Sequence, residues 1–240
     1  MLKIESPQNA TYKKLLSLTT AKGLKKEKLF LLSGEKLIKE FLKKPNLKIV
    51  YEIVAPRLKP LTHGDIAQLS PALFDEIDVL GTGFNILVLQ QPEIEKLGDL
   101  SGYKPKGIEL VLPVGDPGNL GALLRSAEAF AVPRVILTQE AAHPFLPKSV
   151  KASAGSVLRM KLARGPSLKE FPDDCIALDM EGTPIDEFKW PAHGLLVVGE
   201  EGAGFSARSK PFKRRVSIPT QGVQSLNVVV AASIALARRA

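Results

Sequence analysis

The final twenty-five residues, VSIPTQGVQSLNVVVAASIALARRA from Val216 to Ala240, constrain the fold more than any other stretch. A short apolar strand, Val216-Ser217-Ile218, stops at Pro219. A loop containing Gly222 follows, and Ser225-Leu226-Asn227 opens a run that is apolar on nearly every side. A strand that breaks into a loop and restarts as a helix leaves backbone N–H and C=O groups free at the break. Such breaks are where α/β proteins bind ligands. Taken alone, the stretch is equally well read as a plain strand–loop–helix unit with Ser225 as the helix N-cap.

The same alternation runs upstream. Residues 109–114, 134–137, 157–162, 175–179 and 195–198 read as strands, and residues 120–130, 150–156 and 226–239 as helices, with a short helix near Leu168. Apolar strands without polar alternation are buried on both faces, as in a parallel sheet covered by helices. The first ninety residues alternate as well. A helix is expected over 9–20, an exposed basic loop over 22–28, a strand over 29–32 and a helix from Ser33-Gly34-Glu35. Strands over 48–54 and 85–90 flank a helical segment over 66–74. The reading is therefore α/β throughout. A small domain spans 1–95, a Pro/Gly-rich linker 96–106, and a larger parallel-sheet domain 107–240.

Composition narrows the setting. The single cysteine, Cys175, excludes an intramolecular disulfide and makes a thiolate zinc site improbable. A reducing, cytoplasmic location is the simplest expectation. The N-terminus lacks the apolar core of a signal peptide. The run from Leu226 to Ala237 falls short of the roughly 20 residues that cross a bilayer. The net charge is +8 but unevenly placed: residues 1–60 hold 14 Lys/Arg against 5 Asp/Glu, and residues 61–100 hold 1 against 7. Lys13, Lys25 and Lys26 belong to the basic block. A lysine cluster on a compact domain attracts phosphate backbones, so nucleic acid is the expected partner. Solvated helix faces account for any one of these lysines.

Three segments of the second half hold residues suited to chemistry. In the first, Asp116-Pro117-Gly118-Asn119-Leu120-Gly121 turns a strand into a helix that carries Arg125. An arginine in so apolar a helix start suits phosphate binding, and a surface pair with Glu128 is the structural alternative. In the second, the strand Leu195–Val198 enters a loop with Gly199, Glu201, Gly202 and Gly204. Glycines there permit close backbone approach to a flat ligand. Their spacing matches neither the dinucleotide fingerprint nor a P-loop. The third is the C-terminal break. His63, His143 and His193 are scattered, and no convincing metal cluster is present.

In this order, the three segments resemble the motifs of the SpoU (TrmH) branch of the SPOUT methyltransferases. The resemblance rests on Asn119, Gly121 and Arg125; on Gly199, Glu201, Gly202 and Gly204; and on Ile218-Pro219 with Ser225-Leu226-Asn227. Pro147-Lys148-Ser149-Val150-Lys151-Ala152-Ser153-Ala154-Gly155 resembles a further segment of that family. Thr220, Val229 and Ala131 depart from its usual residues.

The resemblance implies methyl transfer from S-adenosylmethionine to a ribose 2′-hydroxyl of RNA, ribosomal RNA in the first instance. It implies a trefoil knot, a homodimer with active sites at the subunit interface, and an N-terminal L30e-like RNA-binding domain. The alternatives are a transfer RNA methyltransferase and a non-catalytic RNA-binding protein of the same fold. Arg125, Asn119, Glu201, Ser225 and Asn227 would be catalytic. Gly199, Ile218, Leu226, Met180 and Gly204 would hold the cofactor. Lys148 and Lys151, with Lys13, Lys25 and Lys26, would meet the substrate. No metal is required.

Overall fold

The alternation of apolar runs with polar breaks becomes two separate sheets in the computed structural model, which describes residues 1–200, 204–205 and 211–239. Contact clustering divides the chain into two compact units. One comprises Met1–Glu93 with His143–Leu158, and the other Ile94–Ala142 with Arg159–Ala240.

The first unit runs β1 (Leu2–Ile4), α1 (Ala10–Ser17), α2 (Ala21–Glu27), β2 (Leu29–Leu32), α3 (Glu35–Lys43), β3 (Ile49–Val54), β4 (Ile66–Leu69), α4 (Pro71–Ile77) and β5 (Ile86–Gln90). Its five strands lie in the order β1-β4-β3-β5-β2. β1, β4 and β3 are parallel, and β5 is antiparallel to β3 and to β2.

Two expectations are corrected here. Residues 66–69 form a strand because Ile66, Ala67 and Gln68 pair with β3. Ser70-Pro71 then restarts the chain as α4, with proline in the first turn, where its missing N–H costs nothing. Residues 21–27 form a helix rather than a loop. The Thr20 hydroxyl accepts from Gly23 N (3.1 Å), and Leu24 is buried. Gly23 is obligatory, since a Cβ there would lie 2.0 Å from Ser17 O.

A buried carboxylate organises this unit's long loop. Glu52 accepts from Leu61 N (2.7 Å), Thr62 N (2.8 Å), Thr62 Oγ1 (2.8 Å) and Asn85 Nδ2 (2.7 Å). Both Glu52 and Asn85 are fully buried. These bonds satisfy polar oxygens whose burial would otherwise be costly.

The second unit contains β6 (Glu95–Lys96), β7 (Ile108–Leu112), α5 (Pro117–Ala129), β8 (Val135–Leu137), β9 (Leu162–Arg164), β10 (Ile176–Pro184), β11 (Gly194–Val198), β12 (Arg214–Ser217) and α7 (Val228–Arg238), while α6 (Pro147–Ala152) belongs to the first unit. All seven strands are parallel, in the order β12-β10-β11-β7-β8-β9-β6. Burial is complete in the central strands: every residue of β7 and β8 is buried, as in a parallel sheet covered on both faces.

The structure divides the chain differently from the continuous partition at 95 and 107. Residues 143–158 join the first unit, where the Phe145 ring lies 4.6 Å from that of Phe30 and Asn46 Nδ2 donates to Leu158 O (2.9 Å). The stretch expected as a linker is partly built into the second unit. β6 pairs with β9, Leu100 is buried, and the Tyr103 hydroxyl donates to Glu109 (2.5 Å). Burial, followed by that bond, pushes the Tyr103 hydroxyl up to about 12.

Residues 150–156 are helical only to Ala152, followed by a 3₁₀ turn over Ser156–Leu158. The strand expected over 157–162 is displaced to Leu162–Arg164, where it pairs with β8. Among the described residues, no helix is long and apolar enough to cross a membrane.

Candidate active site

In a parallel sheet the carboxyl ends of all strands lie along one edge, and ligands bind where the crossovers part. The second unit has a cavity of about 1040 Å³ at such an edge. It lies beyond β10, β11 and β12 and against the start of α5 and the approach to α7. The three candidate motifs converge on it.

From the first motif, Asp116 and Asn119 line the cavity. Asp116 is the N-cap of α5, and its Oδ1 accepts from Asn119 N (2.7 Å), with Pro117 next in the first turn. The cap fixes where Asn119 stands. From the second motif, Val198, Gly199, Glu200 and Gly204 line it. Glu200 and Gly204 pair through two backbone bonds of 2.9 and 2.8 Å. A Cβ on Gly199 would lie 3.0 Å from Gly204 Cα, a tighter approach than side chains ordinarily make to backbone. Glu201 lies outside the described residues. From the third motif, Ile218, Ser225, Leu226 and Asn227 line the cavity.

The helix cap at this break is Asn227, not Ser225. Asn227 Oδ1 accepts from Val229 N (2.8 Å), and α7 begins at Val228. Among the described residues the Asn227 amide nitrogen makes no hydrogen bond, so its donor remains for a ligand. Asn227 thus ends a helix and lines the cavity at once.

Met180 also lines the cavity. It sits on an excursion of β10: Leu178 and Thr183 both pair with Val216, so Asp179–Gly182 bulges out of the ladder. Sequence reading missed this bulge along with Leu178, Asp179, Glu181 and Ser217, which line the cavity too. Asp116 was recoverable from its position, an acidic residue directly before proline at a helix start.

Arg125 stands apart from the cavity's lining. It is exposed and, among the described residues, makes no hydrogen bond or ion pair. The surface pair with Glu128 does not form, since Glu128 is taken by Arg159 through bonds of 2.6 and 2.7 Å. Arg125 lies six residues after Asn119, about 9 Å further along the helix axis and on a different face.

Lys13, Lys25, Lys26, Lys148 and Lys151 are exposed, belong to the first unit and do not line the cavity.

The last helix is buried on one side only. Ala232, Ala235 and Leu236 are enclosed, and Ser126 and Ser233 share a hydroxyl hydrogen bond of 2.8 Å between α5 and α7. Arg239 fastens the helix end by donating to Ile108 O and Phe130 O, each at 2.7 Å. Val230 is 47% exposed. Among the described residues, α5 and β10 pack on α7.

A parallel α/β unit with a large crevice at its strand ends, walled by glycine backbone and by aliphatic and carboxylate side chains, belongs to the class of open α/β folds whose ligand sites lie at that edge. The chain belongs to the SpoU rRNA Methylase family, whose profile matches residues 109–237. It is 30% identical to the 23S rRNA (guanosine(2553)-2′-O)-methyltransferase RlmP of Bacillus subtilis, over 98% of this chain and 97% of that protein. It is 38% identical to ribosomal RNA small subunit methyltransferase G 2 of Syntrophobacter fumaroxidans, over 98% of this chain. The chain spans 48% of that relative's length, about half. The fold is shared with the SpoU methyltransferase AviRb of Streptomyces viridochromogenes, solved in complex with the cofactor AdoMet. The TM-score is 0.80 at 23% identity, covering 97% of each chain.

Proposed function

We propose that the chain methylates a ribose 2′-hydroxyl of RNA, ribosomal RNA foremost, using S-adenosylmethionine. One observation carries the reading: Asn119, Gly199, Gly204, Ile218, Leu226 and Asn227, drawn from three distant motifs, line a single cavity. Full-length similarity to a protein named as a ribose methyltransferase supports it.

The residues present fit the cofactor. Leu178, Val198, Ile218 and Leu226 supply apolar surface for a flat ring. Asp116, Asp179, Glu181 and Glu200 supply carboxylates suited to a cation. The cavity, about 1040 Å³, is at the upper end of the size that encloses small-molecule ligands. When bound, S-adenosylmethionine supplies a methyl group made electrophilic by its sulfonium.

The chain's own task is placement and charge. Arg125 supplies a guanidinium cation. In this reading it orients the ribose hydroxyl and stabilises the oxygen as its proton leaves to an RNA phosphate. Asn119, Glu201, Ser225 and Asn227 arrange the pocket by hydrogen bonds.

Arg125 does not line its own cavity, and α7 leaves apolar surface uncovered. Both features support a homodimer in which Arg125 of a second copy completes the site. The exposed lysines of α1, α2 and α6 would grip RNA as part of an L30e-like substrate domain. A trefoil knot in the second unit belongs to the same proposal, by resemblance to the family. A cytoplasmic location follows from the proposed substrate.

The test is incubation with labelled S-adenosylmethionine and total RNA from a strain lacking the gene. Label at one ribose is expected, abolished by Arg125→Ala while cofactor affinity stays within about twofold. No calorimetric cofactor binding by the wild-type chain would overturn the enzyme reading. Binding without transfer to any RNA would favour the non-catalytic alternative.

A further inference from the structure

The bulge in β10 is held more firmly than its exposure requires. Met180 and Glu181 project from it into solvent, with Met180 66% exposed. Yet three ties fix its course. Arg215, on the neighbouring strand β12, reaches Glu181 Oε2 at 2.9 Å and Asp179 Oδ2 at 3.4 Å with one guanidinium nitrogen. The Ser217 hydroxyl donates to Gly182 O at 2.9 Å. Gly182 presses on the β12 backbone so closely that a Cβ would lie 2.6 Å from Arg215 C and Val216 N. Bulges next to binding sites re-aim side chains, and here the residues re-aimed line the cavity wall.

We propose that Arg215 is a positioning residue for the cofactor: by clamping Asp179 and Glu181 it sets the bulge so that Met180 closes over the mouth of the cavity. The inference rests on the methyltransferase reading of that cavity. Arg215 does not itself line the cavity, so it acts through the bulge. Its backbone pairs with Ala177 in the sheet, so replacing its side chain leaves the strand pairing in place. A thioether on a flexible stem suits the closing part, because methionine adapts to the edge of a ring without demanding one geometry. The two carboxylates would otherwise repel each other, and without Arg215 the bulge would relax outward.

The chain has three methionines, Met1, Met160 and Met180, so a ¹³C-methyl-methionine spectrum reports on the bulge directly. S-adenosylmethionine is titrated into the wild-type chain, Arg215→Ala, Arg215→Lys and Glu181→Gln, followed by calorimetry and by that spectrum. Arg215→Ala should shift the Met180 methyl resonance before any ligand is added and raise Kd about fivefold. Arg215→Lys should restore part of the affinity. Glu181→Gln, a change at an exposed carboxylate, should weaken binding about twofold and guards against a folding defect in the arginine variant. Wild-type affinity in Arg215→Ala, or a Met180 resonance that does not move, would overturn the clamp. A wild-type chain that takes up no cofactor would instead overturn the methyltransferase reading.

Discussion

Asn227 offers the sharpest test, because its two oxygen- and nitrogen-bearing ends do different work. Its Oδ1 caps α7 through Val229 N at 2.8 Å, while the residue also lines the cavity. Replacing Asn227 by Ala removes both functions. Loss of an N-cap costs about 1 kcal/mol. For a chain of this size that lowers the melting midpoint by roughly 2–4 °C. Replacing Asn227 by Asp keeps an equivalent cap, since aspartate ranks with asparagine at that position. It also removes the amide donor and adds a charge to the cavity. The midpoint of Asn227→Asp should therefore stay within about 1 °C of wild type, while methyl transfer falls at least tenfold in both variants at a temperature where both are folded. Differential scanning calorimetry and a labelled-methyl filter assay separate the two effects. Full activity in either folded variant would refute the site assignment. An unchanged midpoint in Asn227→Ala would refute the capping argument.

Other outcomes follow from the same geometry. Gly199→Ala places a Cβ 3.0 Å from Gly204 Cα, so calorimetry should show cofactor binding weakened at least tenfold with little change in secondary structure by circular dichroism. Glu52→Ala strands four donors in the first unit and should cost roughly 3 kcal/mol, read by urea titration. Tyr12 and Tyr103 donate to Glu76 and Glu109, and burial followed by those bonds raises both hydroxyls from 10.0 to about 12. Their contribution to stability is complete below pH 10 and is lost as the pH climbs through about 12, because the unfolded chain ionises first. Ultraviolet titration at the phenolate band should show these two tyrosines ionising late, together with the onset of alkaline unfolding.

Legibility differed by the range of the interaction involved. The strands Ile108–Leu112 and Gly194–Val198 were readable because a short, largely apolar run ended by proline or glycine is a local signal. The convergence of Asn119, Gly199 and Ile218 came through resemblance, since no local rule brings residues a hundred positions apart together. α2 was hidden because Leu24 and Gly23 are its buried residues, leaving three lysines to suggest a solvated loop. β4 and α4 merged into one helical pattern because Ile66, Leu69, Leu73 and Phe74 happen to recur at helical spacing across Ser70-Pro71. The bulge was invisible for a different reason. It exists only relative to the register of β12, and register is a property of two strands. Glu201 lies outside the described residues, so its place in the site stays with the proposal.

The return of residues 143–158 to the first unit bears on how the protein is made. A ribosome releases the chain from its amino end, and domains generally fold as they emerge. The first unit's strands are complete by Gln90, but Phe30 must wait for Phe145. During the synthesis of the intervening fifty-odd residues, which include α5 and β7, that hydrophobic face has no cover from its own chain. A nascent fragment cut at Glu93 should therefore be sticky and chaperone-dependent, whereas one extended past Leu158 should release.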